Sequence, residues 1–225
     1  MKKYVDLTVP IMTGHWRYPN VMRPHKSTDA GDATNVTYYE LRSHWFTHID
    51  APSHVTHGGK TLDDFDISLL IGPAYMAYVE NIAPNEAIDA ERLKQAMVGF
   101  KEEKILIVKT CWGAVRDWKS EEFWDEAPYL TKDAAEYLLG FKPNVVGYDF
   151  PQDYDIRKIR NTDEALLDLT THEVLLKNGV LMLEYLNYLW NVPVKNVEIY
   201  ALPLKLGQAD GAQVRVVAAY EEGLA

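Results

Sequence analysis

The chain has 225 residues, of which 47% are apolar and 25% are charged, and these values are typical of a globular protein. We expect residues 1–225 to form a single domain, because this length suits one core that needs no disulfides. Its 23 basic and 33 acidic residues give a net charge of −10, which disfavours nucleic acid and anionic membranes as partners. No apolar run is typical of a signal peptide or a membrane span, so we expect a cytoplasmic protein.

The order of the predicted elements indicates an α/β or α+β domain with a mixed β-sheet and flanking helices. β-branched, aromatic and apolar runs predict strands over residues 2–8, 35–46, 74–80, 104–110, 145–150, 180–186, 196–202 and 213–220. Capping residues predict helices over residues 88–97, 131–139 and 162–177, with Asp89, Thr131 and Thr162 as N-caps. Residues 10–34 are long for a loop inside a compact domain, which is typical of a binding loop.

Four of the 7 histidines lie between residues 44 and 57, in the segment SHWFTHIDAPSHVTHGG that begins at Ser43. If this segment is extended, His44, His48 and Asp50 project from one face, because strand side chains alternate. Imidazole and carboxylate groups are ligands that divalent metals favour. Pro52 ends the strand, and the following turn can bring His54 to the same centre. The pattern therefore predicts a metal site rather than unconnected surface histidines.

Two further candidate ligands stand in the second half of the chain. His172 shares its predicted helix with several leucines, and Glu184 interrupts the apolar run VLMLEYL. A buried carboxylate is costly unless it is paired or bound to a metal. Alone, His172 is better explained as a core histidine, and Glu184 as a buried ion-pair partner. Beside the first cluster, both become candidate ligands.

The segment HWFTHIDAPSH at residues 44–54 resembles the H-x-G-T-H-x-D-A-P-x-H signature of the cyclase-like metal-dependent hydrolases. That family includes bacterial kynurenine formamidases and isatin hydrolases. Similar segments follow the family order along most of the chain: Asp6-Leu7-Thr8 with Tyr18-Pro19, Gly147-Tyr148-Asp149, His172 and Glu184, and residues 201–205 with Asp210-Gly211 and Val214-Arg215. The resemblance implies the family's swivelling β/β/α-type fold.

The resemblance also implies a role for individual positions. His44, His48 and Asp50 would hold one divalent metal ion. Asp50 would also reach a second ion, with His172 and Glu184 as its other ligands and Glu184 as a candidate bridge. His54 would be the catalytic acid–base group. We expect Zn²⁺, two ions per chain, although Mn²⁺ and Fe²⁺ also suit these ligands.

Two aromatic residues are predicted to contact the substrate. Tyr18 falls where the formamidases place an aromatic contact. Phe46 replaces the glycine of the signature and, as an even-numbered residue, would point the same way as the ligands and narrow the pocket. The resemblance further implies a homodimer or a homotetramer. Cys111 follows an apolar strand and is expected to be an inert thiol.

The predicted reaction is hydrolysis of an amide, formamide or lactam C–N bond in a small molecule by metal-activated water, with His54 as acid and base. An ester is a chemically feasible alternative substrate. Two other functions remain open. One is a non-haem iron oxygenase that uses His48, Asp50 and a distant histidine. The other is a non-catalytic, metal-stabilised binding protein, which has no need of His54. The exact substrate and the role of His57 are not readable from the sequence.

Overall fold

The computed structural model describes residues 1–19, 21–159 and 167–223. The described residues form twelve β-strands and five α-helices. The strands are β1 (Lys2–Asp6), β2 (Met22–Lys26), β3 (Val36–Tyr39), β4 (His48–Asp50), β5 (Ile71–Tyr78), β6 (Ala87–Ile88), β7 (Ile105–Lys109), β8 (Tyr129–Leu130), β9 (Val145–Tyr148), β10 (Leu181–Glu184), β11 (Asn196–Pro203) and β12 (Gly211–Glu221). The helices are α1 (Ala90–Ala96), α2 (Trp112–Val115), α3 (Glu122–Asp125), α4 (Lys132–Gly140) and α5 (Thr170–Leu176). None of the helices in these ranges has the length and hydropathy of a membrane span.

One mixed sheet of eight strands organises the fold, in the order β1-β12-β11-β5-β7-β9-β10-β4. Strands β5, β7, β9 and β10 run parallel to one another, whereas β4, β11, β12 and β1 pair antiparallel with their neighbours. The short strand β4 also pairs with the start of β12, with Asp50 opposite Gly211. This pairing closes the sheet into a barrel and brings the first ligand motif against the C-terminal part of the chain.

Alternation along the strands separates two apolar cores. In β4 and β10, Ile49 and Leu183 belong to the core inside the barrel. The neighbouring side chains of His48, Asp50 and Glu184 therefore point to the opposite face. Helices α1, α4 and α5 cover that outer face, where residues such as Leu93, Leu138 and Leu175 form the second core. The candidate ligands thus lie on the outer face of the barrel wall, beside the helix layer.

The predicted fold class is confirmed, and most predicted strands correspond to observed ones. The strand predicted over residues 35–46 is confirmed only in its first part, because β3 ends at Tyr39 and residues 43–47 form turns and bends. Within this turn Phe46 adopts a left-handed backbone conformation with φ 58°. Only His48–Asp50 joins the sheet. A single extended strand therefore does not carry His44, His48 and Asp50 together.

Two of the three helix predictions are confirmed and the third is too long at its start. Helix α1 begins after Asp89, whose carboxylate accepts a hydrogen bond from the Arg92 backbone N–H at 2.9 Å, as predicted. Helix α4 begins after Thr131, but the Thr131 hydroxyl donates to Asp133 rather than capping the helix. The helix predicted over residues 162–177 is wrong at its start, because residues 167–169 are irregular and α5 begins at Thr170. The predicted N-cap, Thr162, lies outside the described residues.

Candidate metal centre

Two of the predicted ligands project from the same face of β4. His48 Nε2 lies 3.0 Å from Asp50 Oδ1, and both side chains are buried. His48 Nδ1 donates a 2.7 Å hydrogen bond to the carbonyl oxygen of Phe46, so Nε2 carries the free lone pair. Within the described residues, His48 Nε2 and Asp50 Oδ2 make no hydrogen bond. Buried polar atoms are nearly always satisfied, so this pair of atoms fits a bound cation.

His44 reaches the same carboxylate from the turn that precedes β4. Its Nδ1 lies 2.7 Å from Asp50 Oδ1, and its ring packs against Gly211 of β12. A Cβ atom on Gly211 would lie 2.7 Å from His44 Cε1, so glycine is needed at this contact. Burial disfavours the charged imidazole, but Asp50 and Asp210 outweigh burial and raise the pKa of His44 to about 9.

His172 and Glu184 complete the set of predicted ligands. Glu184 lies opposite His48 in the β10–β4 ladder, with its Oε2 3.6 Å from His48 Nε2. His172 enters from α5, with its Nε2 3.1 Å from Glu184 Oε1 and 3.7 Å from Asp50 Oδ2. Burial and Asp50 oppose ionisation of Glu184, but His172 and His48 keep its pKa below the usual value. Asp50 thus lies within 4 Å of three histidines, as a shared ligand would.

His54 stands at the end of the 3₁₀ turn Pro52–His54 and adds a fourth imidazole. Its ring stacks on His44 with the ring centres 3.6 Å apart, and its ring centre is 5.5 Å from that of His172. Burial lowers the pKa of His54 to about 4, so the ring is neutral near pH 7 and can accept a proton. A ring nitrogen of His54, a carboxylate oxygen of Asp50 and a ring nitrogen of His172 all lie within 4.8 Å of one another, as ligands of one metal ion would. The geometry therefore allows His54 to act as a base or as a ligand.

Two further carboxylates, those of Asp153 and Asp210, hold these histidines in place. The sequence did not predict this role for either residue. Asp153 Oδ2 accepts a 2.6 Å hydrogen bond from His172 Nδ1, which directs His172 Nε2 toward Glu184. Asp210 Oδ2 lies 2.7 Å from His44 Nε2 and 3.8 Å from His54 Nδ1. Such carboxylate–histidine pairs fix the ring tautomer and orientation of metal ligands. Asp210 is 166 positions from His44, and only closure of the barrel brings the two together.

The site opens into a cleft of about 700 Å³. Tyr18 and Tyr185 line it beside His44, His54 and Glu184. Burial raises the pKa of Tyr18, so its hydroxyl stays protonated. That hydroxyl is buried and makes no hydrogen bond within the described residues.

Phe46 lies behind the residues that line the cleft and does not line the cleft itself. It packs on Tyr18 at 4.6 Å between ring centres and lines a separate small cavity with Trp118 and Trp124. Strand alternation does not place Phe46, because the chain turns there. Its predicted contact with the substrate stays a prediction.

The Gly147-Tyr148-Asp149 segment has a structural role in this fold. The buried Asp149 carboxylate accepts hydrogen bonds from the backbone N–H groups of Thr110 and Cys111 and from the Thr110 hydroxyl. These bonds support the left-handed conformation of Cys111, whose φ is 59°. Burial and the negative charge of Asp149 raise the pKa of Cys111 to about 11. Cys111 is therefore a protonated, unreactive thiol at neutral pH, as expected.

Comparison with known proteins identifies the family. The model of the family described as "Putative cyclase" matches residues 5–152. The chain belongs to the cyclase family. Kynurenine formamidase of Bacillus thuringiensis (strain Al Hakam) is 31% identical to it over 191 residues, which cover 85% of this chain and 83% of the relative.

Solved structures of similar proteins agree with the fold of this cyclase-family chain. One, described as "The Structure Of Potential Metal-Dependent Hydrolase With Cyclase Activity", has 25% identity and a TM-score of 0.73, and the match covers 99% of this chain and 100% of the other. An isatin hydrolase bound to the product analogue thioisatinate has 20% identity and a TM-score of 0.76, over 98% of this chain and 93% of the other. At that identity the second match supports the fold alone.

Proposed function

We propose that this cyclase-family chain is a divalent-metal-dependent amidohydrolase that cleaves the C–N bond of a small formamide, amide or lactam. The proposal rests on one observation above all. Four imidazoles and two carboxylates converge on one cleft, and His48 Nε2 and Asp50 Oδ2 are without hydrogen bonds in the described part of the chain. The family match and the relatives named kynurenine formamidase support a formamide or a related amide as the substrate.

His44, His48 and Asp50 would hold one metal ion, and Asp50, His172 and Glu184 would hold a second. When bound, the metal would polarise the substrate carbonyl and make water more acidic. Neutral His54 accepts a proton from the attacking water as the oxygen bonds to the carbonyl carbon. It then returns that proton to the leaving nitrogen as the C–N bond breaks.

Zn²⁺, two ions per chain, is the proposed cofactor, because imidazole and carboxylate ligands suit it. Mn²⁺ is the alternative that metal analysis tests. The proposed assembly is a homodimer or homotetramer of a single-domain chain located in the cytoplasm. Leu202, Leu204 and Leu206 support an interface, since each is about half exposed, at 52%, 51% and 47%. A monomeric mass in light scattering at micromolar concentration would contradict the assembly.

The experiment combines elemental analysis by mass spectrometry with a panel of formamides, lactams and lactones. We expect close to two zinc ions per chain and turnover of at least one member of the panel. Oxygen consumption that requires Fe²⁺ and a co-substrate would instead support an iron oxygenase. Stoichiometric metal without turnover of any panel member would support a binding protein.

His54→Ala separates the acid–base role from the ligand role. We expect it to reduce kcat by about 10²–10⁴-fold while two metals per chain are retained. His57→Ala is the matched control, because His57 is an exposed histidine three residues further along the chain. Loss of metal from His54→Ala would assign His54 as a ligand. Full activity with metal still bound would exclude the acid–base role.

A further inference from the structure

A buried glutamine reaches the metal centre from the segment that follows β9, and the proposed chemistry does not use it. Gln152 is fully buried, and its Nε2 donates a hydrogen bond to Glu184 Oε1. Its Oε1 makes no hydrogen bond within the described residues. The reverse orientation of the amide would bring two acceptor oxygens together, so the N–H₂ group faces Glu184. A buried amide with an unpaired acceptor costs stability that an apolar side chain of similar size would not, so folding alone does not account for a glutamine here.

The two carboxylate oxygens of Glu184 face different histidines. Oε1 lies 3.1 Å from His172 Nε2, and Oε2 lies 3.6 Å from His48 Nε2. The terminal torsion of a glutamate side chain is broad, so a hydrogen bond to one oxygen is needed to hold the carboxylate in this orientation. A histidine nitrogen that ligates an ion has no proton to donate. Among the described residues, Gln152 is therefore the donor that remains on Oε1 once His172 binds a metal.

We infer that Gln152 is a positioning residue of the metal centre, whose amide holds Glu184 so that Oε1 is presented to the ion that His172 binds. This inference rests on the proposed function, because it concerns the second of the two proposed ions. The Gln152 carbonyl oxygen accepts a 2.8 Å hydrogen bond from the Leu130 backbone N–H, which fixes the segment that carries the amide. The next residue, Asp153, holds His172. Two adjacent residues thus orient the carboxylate and the imidazole of the same ion.

The test measures the dissociation constant of each Zn²⁺ ion by competition with a chelator of known affinity. Gln152→Met removes the donor and keeps a side chain of similar length. We expect this variant to weaken one of the two binding steps about 10–100-fold, as other partners of metal ligands do. Gln152→Asn keeps an amide that is one methylene shorter and should cause the same loss, because it cannot reach Glu184. Thermal melts of the metal-depleted variants identify a loss caused by unfolding, in which case the variant that folds decides.

His172→Ala removes a ligand of the second ion and shows which binding step Gln152 affects. In that background Gln152→Met should cause no further loss of affinity for the remaining ion. Gln213→Met is the matched control, because Gln213 is also a buried amide, but its Nε2 donates to three backbone carbonyl oxygens in the turn that carries His44. It should weaken binding of the remaining ion in the same background.

These measurements need no substrate, so they test the inference even if no compound of the panel is hydrolysed. Native affinity for both ions in Gln152→Met would overturn the inference while the hydrolase function stands. An equal loss from Gln152→Met with and without His172 would also overturn it, because the amide would then not act through the second ion. A native protein that binds only one Zn²⁺ ion would contradict the proposed two-ion centre and the inference together.

Discussion

The pairing of His172 with Asp153 makes a prediction that separates metal affinity from folding. Asp153 is buried, and its Oδ2 accepts 2.6 Å hydrogen bonds from both the His172 Nδ1–H and the Thr171 hydroxyl. In Asp153→Asn the amide N–H₂ donates where Oδ2 accepted. His172 Nδ1 then has to accept, which moves the ring proton to Nε2. The nitrogen that lies 3.1 Å from Glu184 would no longer carry a lone pair for a metal.

The magnitude follows from the bond that is lost. A hydrogen bond to a charged group contributes about 1.5–3 kcal/mol, and mutations of carboxylates that orient metal ligands weaken metal binding about 10–100-fold. Asp153→Asn should therefore weaken one metal-binding step by that factor. The Thr171 backbone N–H still has an oxygen acceptor at 2.7 Å, so the start of α5 should be retained.

Competition with a chelator of known affinity measures the dissociation constant of each ion in the native and variant proteins. Asp155→Asn is the control, because Asp155 accepts a backbone hydrogen bond from Asp168 in the same region but contacts no ligand. Native affinity in Asp153→Asn would refute the orienting role of Asp153. An equal loss in both variants would indicate a general disturbance of this segment.

Three other perturbations test the same geometry. Gly211→Ala should weaken metal binding by at least about tenfold in the chelator competition, because a Cβ would lie 2.7 Å from His44 Cε1. Gly207→Ala is the control and should leave metal binding unchanged, because no atom lies within 4 Å of its Cβ. Phe46→Ala and Phe46→Gly should each lower the free energy of unfolding by about 3–5 kcal/mol, because both remove a buried aromatic ring. The glycine variant should be about 1 kcal/mol more stable than the alanine variant in urea unfolding, because residue 46 has a left-handed φ of 58°. The pKa of His44 is raised to about 9, so the folded protein holds a proton that the unfolded protein loses near pH 6.5. The metal-depleted protein should therefore lose on the order of 3 kcal/mol of its free energy of unfolding as pH rises from about 6.5 through 9. Urea unfolding at both pH values checks this, and a flat profile contradicts it.

Local pattern was sufficient to predict the part of the site that lies on one strand. His48 and Asp50 are two residues apart in β4, so alternation alone places both on one face, with Ile49 in the other core. The family resemblance suggested His172 and Glu184, and the structure brings both within 4 Å of residues in β4.

Long-range closure explains what the sequence did not predict. Asp210 contacts His44 only because β4 pairs with the start of β12, and no local pattern encodes that pairing. Asp153 follows β9 in a segment without periodicity, so its contact with His172 in α5 had no sequence signal. Helices α2 and α3 have only four residues each, too short for an amphipathic pattern.

Phe46 shows how one turn connects the metal centre to the cleft. A left-handed conformation costs a residue with a Cβ roughly 1–2 kcal/mol, and burying a phenylalanine side chain gains about 1.5–3 kcal/mol, so the two effects nearly balance. The backbone of this turn places the Phe46 carbonyl oxygen 2.7 Å from His48 Nδ1, which directs His48 Nε2 toward the acidic ligands. The side chain meanwhile supports Tyr18 from behind. Phe46 therefore combines the backbone geometry that orients His48 with a side chain that supports Tyr18 in the cleft wall.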